Sequence, residues 1–199
     1  MNSPASFTTP DRVTFIRMLT PYLQIFDARD YFFDDIQPGD RVIDIGANVG
    51  AFCIRAARYS RHITAVEPVT ADLLEENIRT NKAPVRVIRA GLGDGRPCTC
   101  SWDGCSVTVP TCTLGKIIDL AGGCDFLKCD CEGAEWLIRP EELEPVRRIE
   151  MELHLPPIGG RPAPALLDYI GRHYDFSIVK TPCHDVLGVM GILHGKRQE

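Results

Sequence analysis

The sequence has no apolar run that approaches the ~20 residues of a membrane-spanning helix, so we expect no membrane segment. Its first ten residues, MNSPASFTTP, are polar, and we expect no signal peptide and a cytoplasmic protein. Positive charge is also in short supply, because 22 lysines and arginines face 27 aspartates and glutamates, giving a net charge of −5. Since phosphate contacts need basic patches, this balance argues against nucleic acid as a default partner.

The nine cysteines include no C-x-x-C pair, the spacing that structural zinc sites commonly use. The odd count and the lack of a secretory signal favour reduced thiols. Four of the nine, Cys98, Cys100, Cys105 and Cys112, lie in one stretch of the chain. We interpret them as small apolar residues on strands rather than as metal ligands.

Internal repeats and low-complexity linkers are absent, so the 199 residues predict a single domain. From residue 41 onward, strand-like and helix-like segments alternate, and the last two strands, at 176–180 and 189–194, have no helix between them. This order predicts an α/β fold with a parallel sheet and an antiparallel addition. Apolar residues at helical spacing predict a helix within residues 11–29, and residues 96–113 predict a hairpin or excursion.

The segment RVIDIGANVG, residues 41–50, is an apolar strand that runs into a turn bounded by Gly46 and Gly50. Glycine at both ends lets the backbone approach a ligand closely. In an open α/β sheet, this strand-to-helix corner is where a nucleoside-like cofactor lies. Glu67 ends the next strand, 21 residues after Gly46, where an acidic side chain would hold the ribose hydroxyls.

The turn lacks the middle glycine of the dinucleotide motif G-x-G-x-x-G, because Asn48 stands in its place. Asp44, two residues before Gly46, would repel a phosphate but attract an ammonium or sulfonium group. S-adenosylmethionine carries both of these cations, a ribose and an adenine, and no phosphate. The residues therefore favour a methyl donor over a nicotinamide. The alternatives are that Asp44 only bonds backbone amides and that Glu67 is an ordinary solvated strand end.

A second group of ionisable residues lies in FLKCDCEGAE, residues 126–135, and in the strand that follows. Because side chains alternate along a strand, Lys128, Asp130 and Glu132 share one face. Glu152 and His154 share a face of the next strand by the same rule. Buried charges are costly unless they pair or function, so we expect Lys128 to pair with Glu152. The remaining three lie toward the carboxyl ends of the strands, which is the ligand side of such sheets.

The segments VIDIGANVG, AVEP, LKCDCEGAE and MELH together resemble the FkbM-type S-adenosylmethionine-dependent methyltransferases. The family pattern near the fourth strand, approximately L-K-x-D-x-E-G-x-E, is matched position by position by residues 127–135. The resemblance covers roughly residues 37 to 154. It implies a Rossmann-like class I methyltransferase fold, with a mostly parallel seven-stranded sheet, helices on both faces and an antiparallel C-terminal strand.

The resemblance further implies transfer of a methyl group from S-adenosylmethionine, most often to a hydroxyl oxygen of a sugar, polyketide or other small metabolite. Glu67 would hold the ribose, Leu92 would lie against the adenine, and Asp130 would sit beside the sulfonium. The full set of residues expected to bind the cofactor is Asp44, Gly46, Ala47, Asn48, Gly50, Glu67, Pro68, Leu92 and Asp130.

The expected catalytic residues are Asp130, Glu132 and His154. An unperturbed pKa of about 6.5 makes His154 a natural base for an acceptor hydroxyl, with the two carboxylates orienting it or taking the proton instead. A divalent metal bound by the same three residues is the alternative. We expect Glu135 to favour a helix start or to pair with an arginine.

An N-terminal helical segment over residues 1–35 and the excursion at 98–112 are expected to cover the acceptor. Two other readings of the chain stay open. One is a protein that binds S-adenosylmethionine or S-adenosylhomocysteine without catalysis, and the other is a methyltransferase that acts on RNA or protein.

Overall fold

The computed structural model describes residues 6–16, 31–102, 105–156, 159–180 and 188–199. Its strands are β1 (Ser6–Thr8), β2 (Thr14–Ile16), β3 (Arg41–Ile45), β4 (His62–Val66), β5 (Val85–Ile88), β6 (Gly91–Leu92), β7 (Cys98–Trp102), β8 (Cys105–Val109), β9 (Thr111–Cys112), β10 (Phe126–Cys129), β11 (Arg148–His154), β12 (Tyr174–Val179) and β13 (Val189–Arg197). The α-helices are α1 (Ala51–Ala56), α2 (Ala71–Asn81), α3 (Leu114–Ala121) and α4 (Pro164–His173), and two 3₁₀ turns span Ala134–Leu137 and Pro140–Leu143.

Seven strands form the central sheet, in the order β12-β13-β11-β10-β3-β4-β5. Strands β11, β10, β3, β4 and β5 pair in parallel, and β13 runs antiparallel to both β11 and β12. The predicted fold class is therefore confirmed. The strand order reverses between β3 and β10, because the chain builds outward from β3 to β5 and then returns to the other side of β3. Such a switch point leaves a crevice at the carboxyl ends of the strands, where ligands bind.

Each face of the sheet has its own apolar core, because successive strand residues point to opposite faces. Val42 and Phe126 point to the face covered by α1, α2 and the β1–β2 hairpin. Their neighbours Ile43 and Leu127 point to the face covered by α3 and α4. The polar side chains of the site lie on the first of these faces.

The helix predicted within residues 11–29 is wrong at its start, and residues 17–30 lie outside the described residues. Thr14–Ile16 is a strand that pairs with β1, and Phe15 is fully buried. The amides of Thr14 and Ile16 donate to the side-chain oxygens of Asn81 and Asn77 on α2. These contacts with a distant helix satisfy the extended backbone, which a helical spacing of apolar residues did not reveal.

The excursion predicted at 96–113 contains the β7–β8 hairpin, followed by β9, which pairs with β6. Leu92 consequently lies on a short strand and not in a turn. It packs in the core on the α3 side and is 5% exposed, so its predicted contact with adenine is not supported by its position. Among the described residues, no helix combines the length and apolar character needed to cross a membrane.

Candidate functional site

The turn after β3 is held against the neighbouring strands by its backbone. Gly46 has φ +70°, and a Cβ there would lie 1.7 Å from the backbone oxygen of Asp130, so only glycine fits. The amides of Gly46 and Ala47 both donate to the carbonyl of Val66 at the end of β4. Gly50 has φ +94°, at the start of α1. The turn therefore sits tightly at the carboxyl ends of β3, β4 and β10.

Glu67 joins this turn to the turn after β4. Its Oε2 accepts from the amide of Asn48 at 2.9 Å, and its Oε1 accepts from the amides of Val69 and Thr70 at 2.7 and 3.0 Å. Asn48 itself has φ +48°. A carboxylate oxygen can accept two hydrogen bonds, so Oε2 has room for one more among these partners. The carboxylate predicted to hold a ribose thus lies between the two turns, and Pro68 beside it faces Gly91 of β6.

Asp44 is fully buried and forms an ion pair with Lys128, with 3.0 Å between Oδ1 and Nζ. Its Oδ2 accepts from the amide of Cys53 in α1. Lys128 also donates to the carbonyls of Ile45 and Gly46, so this pair fixes the turn from beneath. Burial opposes the charge of Lys128, but Asp44 and Asp130 outweigh it and hold the lysine pKa above its ordinary value.

This pairing corrects two expectations. Lys128 forms its ion pairs with Asp44 and Asp130, and the expected partner Glu152 is not one of them. The pair exists because β10 lies beside β3, so that Lys128 is in register with Asp44. Since Asp44 is neutralised in this way and has no exposed surface, it is unsuited to bind the ammonium group of a ligand directly.

A row of ionisable side chains crosses the sheet at this level, because the strand register aligns Asp44, Lys128, Glu150 and His194. Glu150 is fully buried and is paired with Arg148 and with His194, whose Nδ1 lies 2.6 Å from its Oε2. The partners across the sheet compensate these buried charges, as burial demands.

Residues 31–33 cover this row from the side of α1. The hydroxyl of Tyr31 donates to Asp130 Oδ2 at 3.0 Å, and the amide of Phe32 donates to Glu150 at 3.2 Å. The Phe32 ring stacks on His194 with 4.3 Å between centroids. The expected cover from residues 1–35 is therefore present in this short part. Sequence reasoning missed Tyr31 because no strand or helix periodicity marks the segment.

The second cluster surrounds the imidazole of His154 at the end of β11. Its Nε2 lies 3.5 Å from Glu132 Oε2, 3.6 Å from Glu152 Oε2 and 3.9 Å from Asp130 Oδ1. Its Nδ1 faces Glu135 Oε1 at 3.3 Å, and the same oxygen accepts from the His154 amide at 2.7 Å. The three expected catalytic residues are thus brought together, and Glu152 and Glu135 join them.

Glu135 corrects a further expectation, because it is fully buried and its partner is His154 rather than an arginine. Its second oxygen accepts from the amide of Gly133. Gly133 has φ +100°, and a Cβ there would lie 2.3 Å from the Cα of Gly159, so the turn is pressed against the chain that follows β11. The E-G-x-E spacing of residues 132–135 was the available signal, but the direction of the second glutamate depends on this turn.

The cluster holds its protons unevenly. Burial and the neighbouring Asp130 carboxylate raise the pKa of Glu152 to about 9. Burial also opposes the charge of Asp130, but Lys128 and the hydrogen bond from Glu152 keep the Asp130 pKa below its ordinary value. At neutral pH, Asp130 is therefore the ionised carboxylate and Glu152 holds a proton.

The same surroundings make His154 a cation. Burial would lower its pKa, but the hydrogen bond to Glu135 and the charges of Glu135 and Asp130 outweigh this effect and raise the pKa of His154 to about 9. The expectation of a largely neutral imidazole, which rested on an unperturbed pKa, is corrected accordingly. In this protonation state His154 donates a hydrogen bond or stabilises a developing negative charge rather than removing a proton.

No protein-family model matches the sequence, and no curated protein matches it. Among solved structures, the chain is similar to an rRNA methylase from Streptococcus thermophilus, with a TM-score of 0.58 and 10% identity over 87% of this chain and 96% of that chain. It is similar to a putative methyltransferase from Streptococcus mutans in complex with SAH, with a TM-score of 0.54 and 11% identity over 86% and 97% of the two chains.

A third similar structure is the magnesium protoporphyrin IX methyltransferase from Synechocystis with bound SAM. Its TM-score is 0.55 and its identity 13%, over 89% of this chain and 80% of that chain. At these identities the likeness shows the fold. The chain has the Rossmann-like methyltransferase fold, with its glycine turn and acidic cluster at the carboxyl ends of the strands.

Proposed function

We propose that this chain is an S-adenosylmethionine-dependent methyltransferase that methylates a hydroxyl oxygen of a small acceptor such as a sugar, a polyketide or a similar metabolite. The observation that carries the proposal is the meeting of three features at one corner of the sheet. The Gly46 turn, the Glu67 carboxylate and Asp130 lie at the adjacent carboxyl ends of β3, β4 and β10. The motif resemblance to FkbM-type enzymes and the ligands bound in two of the similar structures support the same cofactor.

The residues at this corner fit S-adenosylmethionine. Glu67 offers Oε2 to the ribose, while its hydrogen bonds to both turns fix its position. Asp130 is ionised and its side chain is 19% exposed, which suits the cationic end of the cofactor, whereas Asp44 is already neutralised. A dinucleotide would instead need to place a pyrophosphate beside carboxylates, which is unfavourable.

When bound, S-adenosylmethionine supplies a methyl group on a sulfonium that is already activated. The protein then has to align the acceptor, which can account for on the order of 7–11 kcal/mol of the barrier. Asp130, as the ionised carboxylate, takes the acceptor proton, and protonated His154 and Glu152 hold it in place. Tyr31 fixes the second oxygen of Asp130. Glu132, whose side chain is 72% exposed, faces the acceptor side.

The acidic cluster is the reason for preferring a small hydroxylated acceptor to RNA. Asp130 and Glu132 would meet the phosphates of a polynucleotide at the point of transfer, and the chain as a whole carries a net charge of −5. RNA is the second candidate because the fold is shared with an rRNA methylase. A non-catalytic S-adenosylmethionine-binding protein is the third, and it would not need the ionised Asp130.

The test is methyl transfer from radiolabelled S-adenosylmethionine to three sets of acceptors: hydroxylated small molecules, total RNA and protein extract. We expect label in the small-molecule set. The Asp130→Asn variant should lose most of this transfer while Glu144→Gln, at an exposed glutamate away from the site, keeps it. Label in RNA alone would overturn the acceptor class. Equal transfer by Asp130→Asn would overturn the role of Asp130.

A further inference from the structure

The trio of Asp130, Glu152 and His154 has a geometry that hydrogen bonding alone does not explain. One ligand atom from each residue lies within 4.8 Å of the other two. The distances from His154 Nε2 to Glu152 and Asp130, 3.6 and 3.9 Å, are too long for hydrogen bonds. They match the roughly 3–4 Å that separates two ligand atoms when each lies about 2.0–2.2 Å from one ion.

The imidazole is aimed into this cluster by a carboxylate behind it. Fully buried Glu135 accepts from both the backbone amide and the Nδ1 side of His154, and Trp136 Nε1 donates to the His154 carbonyl at 2.7 Å. His154 is 3% exposed, and its Nε2 forms no hydrogen bond with any residue that the structure describes. A carboxylate that orients a histidine from the opposite nitrogen is the usual arrangement behind a metal-ligating imidazole.

The two oxygens of Asp130 have different partners. Oδ2 accepts from Tyr31 at 3.0 Å and faces Lys128 at 3.8 Å, whereas Oδ1 faces His154. Tyr31 and Lys128 thereby hold the carboxylate so that its other oxygen points into the cluster. Glu152 presents Oε2 to the same place from β11.

We propose that Asp130, Glu152 and His154 form a binding site for one divalent first-row transition-metal cation. An imidazole nitrogen with two carboxylates suits Mn²⁺, Fe²⁺ or Zn²⁺ better than Mg²⁺ or Ca²⁺, which prefer oxygen ligands alone. The expected trio contained Glu132, and the structure replaces it with Glu152, because Glu132 lies on a turn with φ +55° and is largely exposed.

This site does not depend on the proposed methyl transfer, and binding is measurable without a cofactor or an acceptor. If both proposals hold, the ion lies next to the Gly46 turn, where it would polarise an acceptor hydroxyl and favour loss of its proton. Failure of metal binding would leave the methyl-transfer proposal intact, with Asp130 as the proton acceptor.

The experiment is a Mn²⁺ titration of the tag-free protein, in which electron paramagnetic resonance measures free Mn²⁺. Mn²⁺ is chosen because it prefers nitrogen and oxygen ligands, so that the cysteines compete little. The titration is run at about pH 8, since metal ligands bind in their deprotonated forms. We expect one bound ion per chain, and a loss of at least ~tenfold in affinity in Asp130→Asn and in Glu152→Gln.

The controls are His62→Gln and Glu144→Gln, which remove an exposed histidine and an exposed glutamate far from the trio and should leave Mn²⁺ affinity unchanged. Circular dichroism checks that each variant is folded, and either folded site variant is sufficient for the comparison. The proposal is overturned if the wild type leaves millimolar Mn²⁺ free, or if a folded site variant binds as tightly as the wild type.

Discussion

At the scale of single residues, the site depends on side chains whose partners come from other elements. Glu67 on the turn after β4 holds the amide of Asn48 on the turn after β3. Glu135 on a 3₁₀ turn orients His154 at the end of β11. Because each of these contacts joins two elements, the geometry of the site is set by the fold and not by any one segment.

Gly46→Ala tests how tightly the glycine turn is held. The added Cβ would lie 1.7 Å from the backbone oxygen of Asp130, and φ +70° is strained for alanine. We expect a loss of roughly 2–3 kcal/mol or more in the free energy of unfolding, since strained backbone conformations cost of order 1–3 kcal/mol before any clash. Urea denaturation measures it.

Gly39→Ala is the matched control, because a Cβ there would meet no atom within 4 Å. It should change the unfolding free energy by well under ~1 kcal/mol. Equal effects of the two substitutions would contradict the close packing of the turn against β10.

Single-residue partners were the part of the site least accessible from sequence. Alternation correctly placed Lys128 and Asp130 on one face, and the same rule placed Glu152 and His154. It could not give the partner of Lys128, because β10 lies between β3 and β11 and the register with Asp44 is a property of the assembled sheet. The protonation of His154 likewise depends on Glu135, whose direction is set by a glycine turn.

At the scale of elements, helix ends show which local patterns are realised in the fold. Thr113 caps α3, and its hydroxyl accepts from the amide of Lys116. Thr70 stands at the same position before α2, but its side chain accepts no capping hydrogen bond. The two threonines therefore provide a comparison of cap function on one scaffold.

We expect Thr113→Ala to lower the free energy of unfolding by about 1 kcal/mol, because it removes the acceptor of an orphan amide. Thr70→Ala should cost less, and thermal unfolding of the two variants measures the difference. A larger loss in Thr70→Ala would contradict the capping geometry.

Elements in the regular βα repeat were predictable, and those outside it were less so. Apolar runs bounded by Gly46, Pro38 and Gly39 marked β3, and β4, β10 and β11 followed from the same pattern. The short strand Thr14–Ile16 was missed, because its backbone is satisfied by asparagines of α2 that are more than 60 residues away in sequence.

At the scale of the whole molecule, the order of elements was enough to predict the sheet class. Five parallel strands joined by βα units, then two strands without a helix between them, give one strand antiparallel to its neighbours. In the structure that strand, β13, inserts between β11 and β12, which brings His194 beside Glu150.

Protonation of the cluster should make the stability of the whole protein depend on pH. The folded state raises the pKa of His154 from 6.5 to about 9 and that of Glu152 from 4.5 to about 9. A raised pKa contributes stability that is present below the unfolded value and is lost as the pH rises through the folded value. The free energy of unfolding should therefore fall between about pH 6.5 and about pH 9.

Chemical denaturation across this range, with a chelator present, measures the effect. Glu152→Gln cannot titrate, so its stability should fall less steeply with pH than that of the wild type. A wild-type stability that rises from neutral to alkaline pH would contradict the assigned protonation states.

The measurement that tests the central claim most directly is calorimetric titration of the protein with S-adenosylmethionine, S-adenosylhomocysteine and NAD. The account predicts that either adenosyl ligand binds, that NAD does not, and that Glu67→Ala abolishes binding while Glu144→Ala, at an exposed glutamate, does not. Binding of NAD in place of the adenosyl ligands, or adenosyl binding that is unchanged in Glu67→Ala, would contradict it.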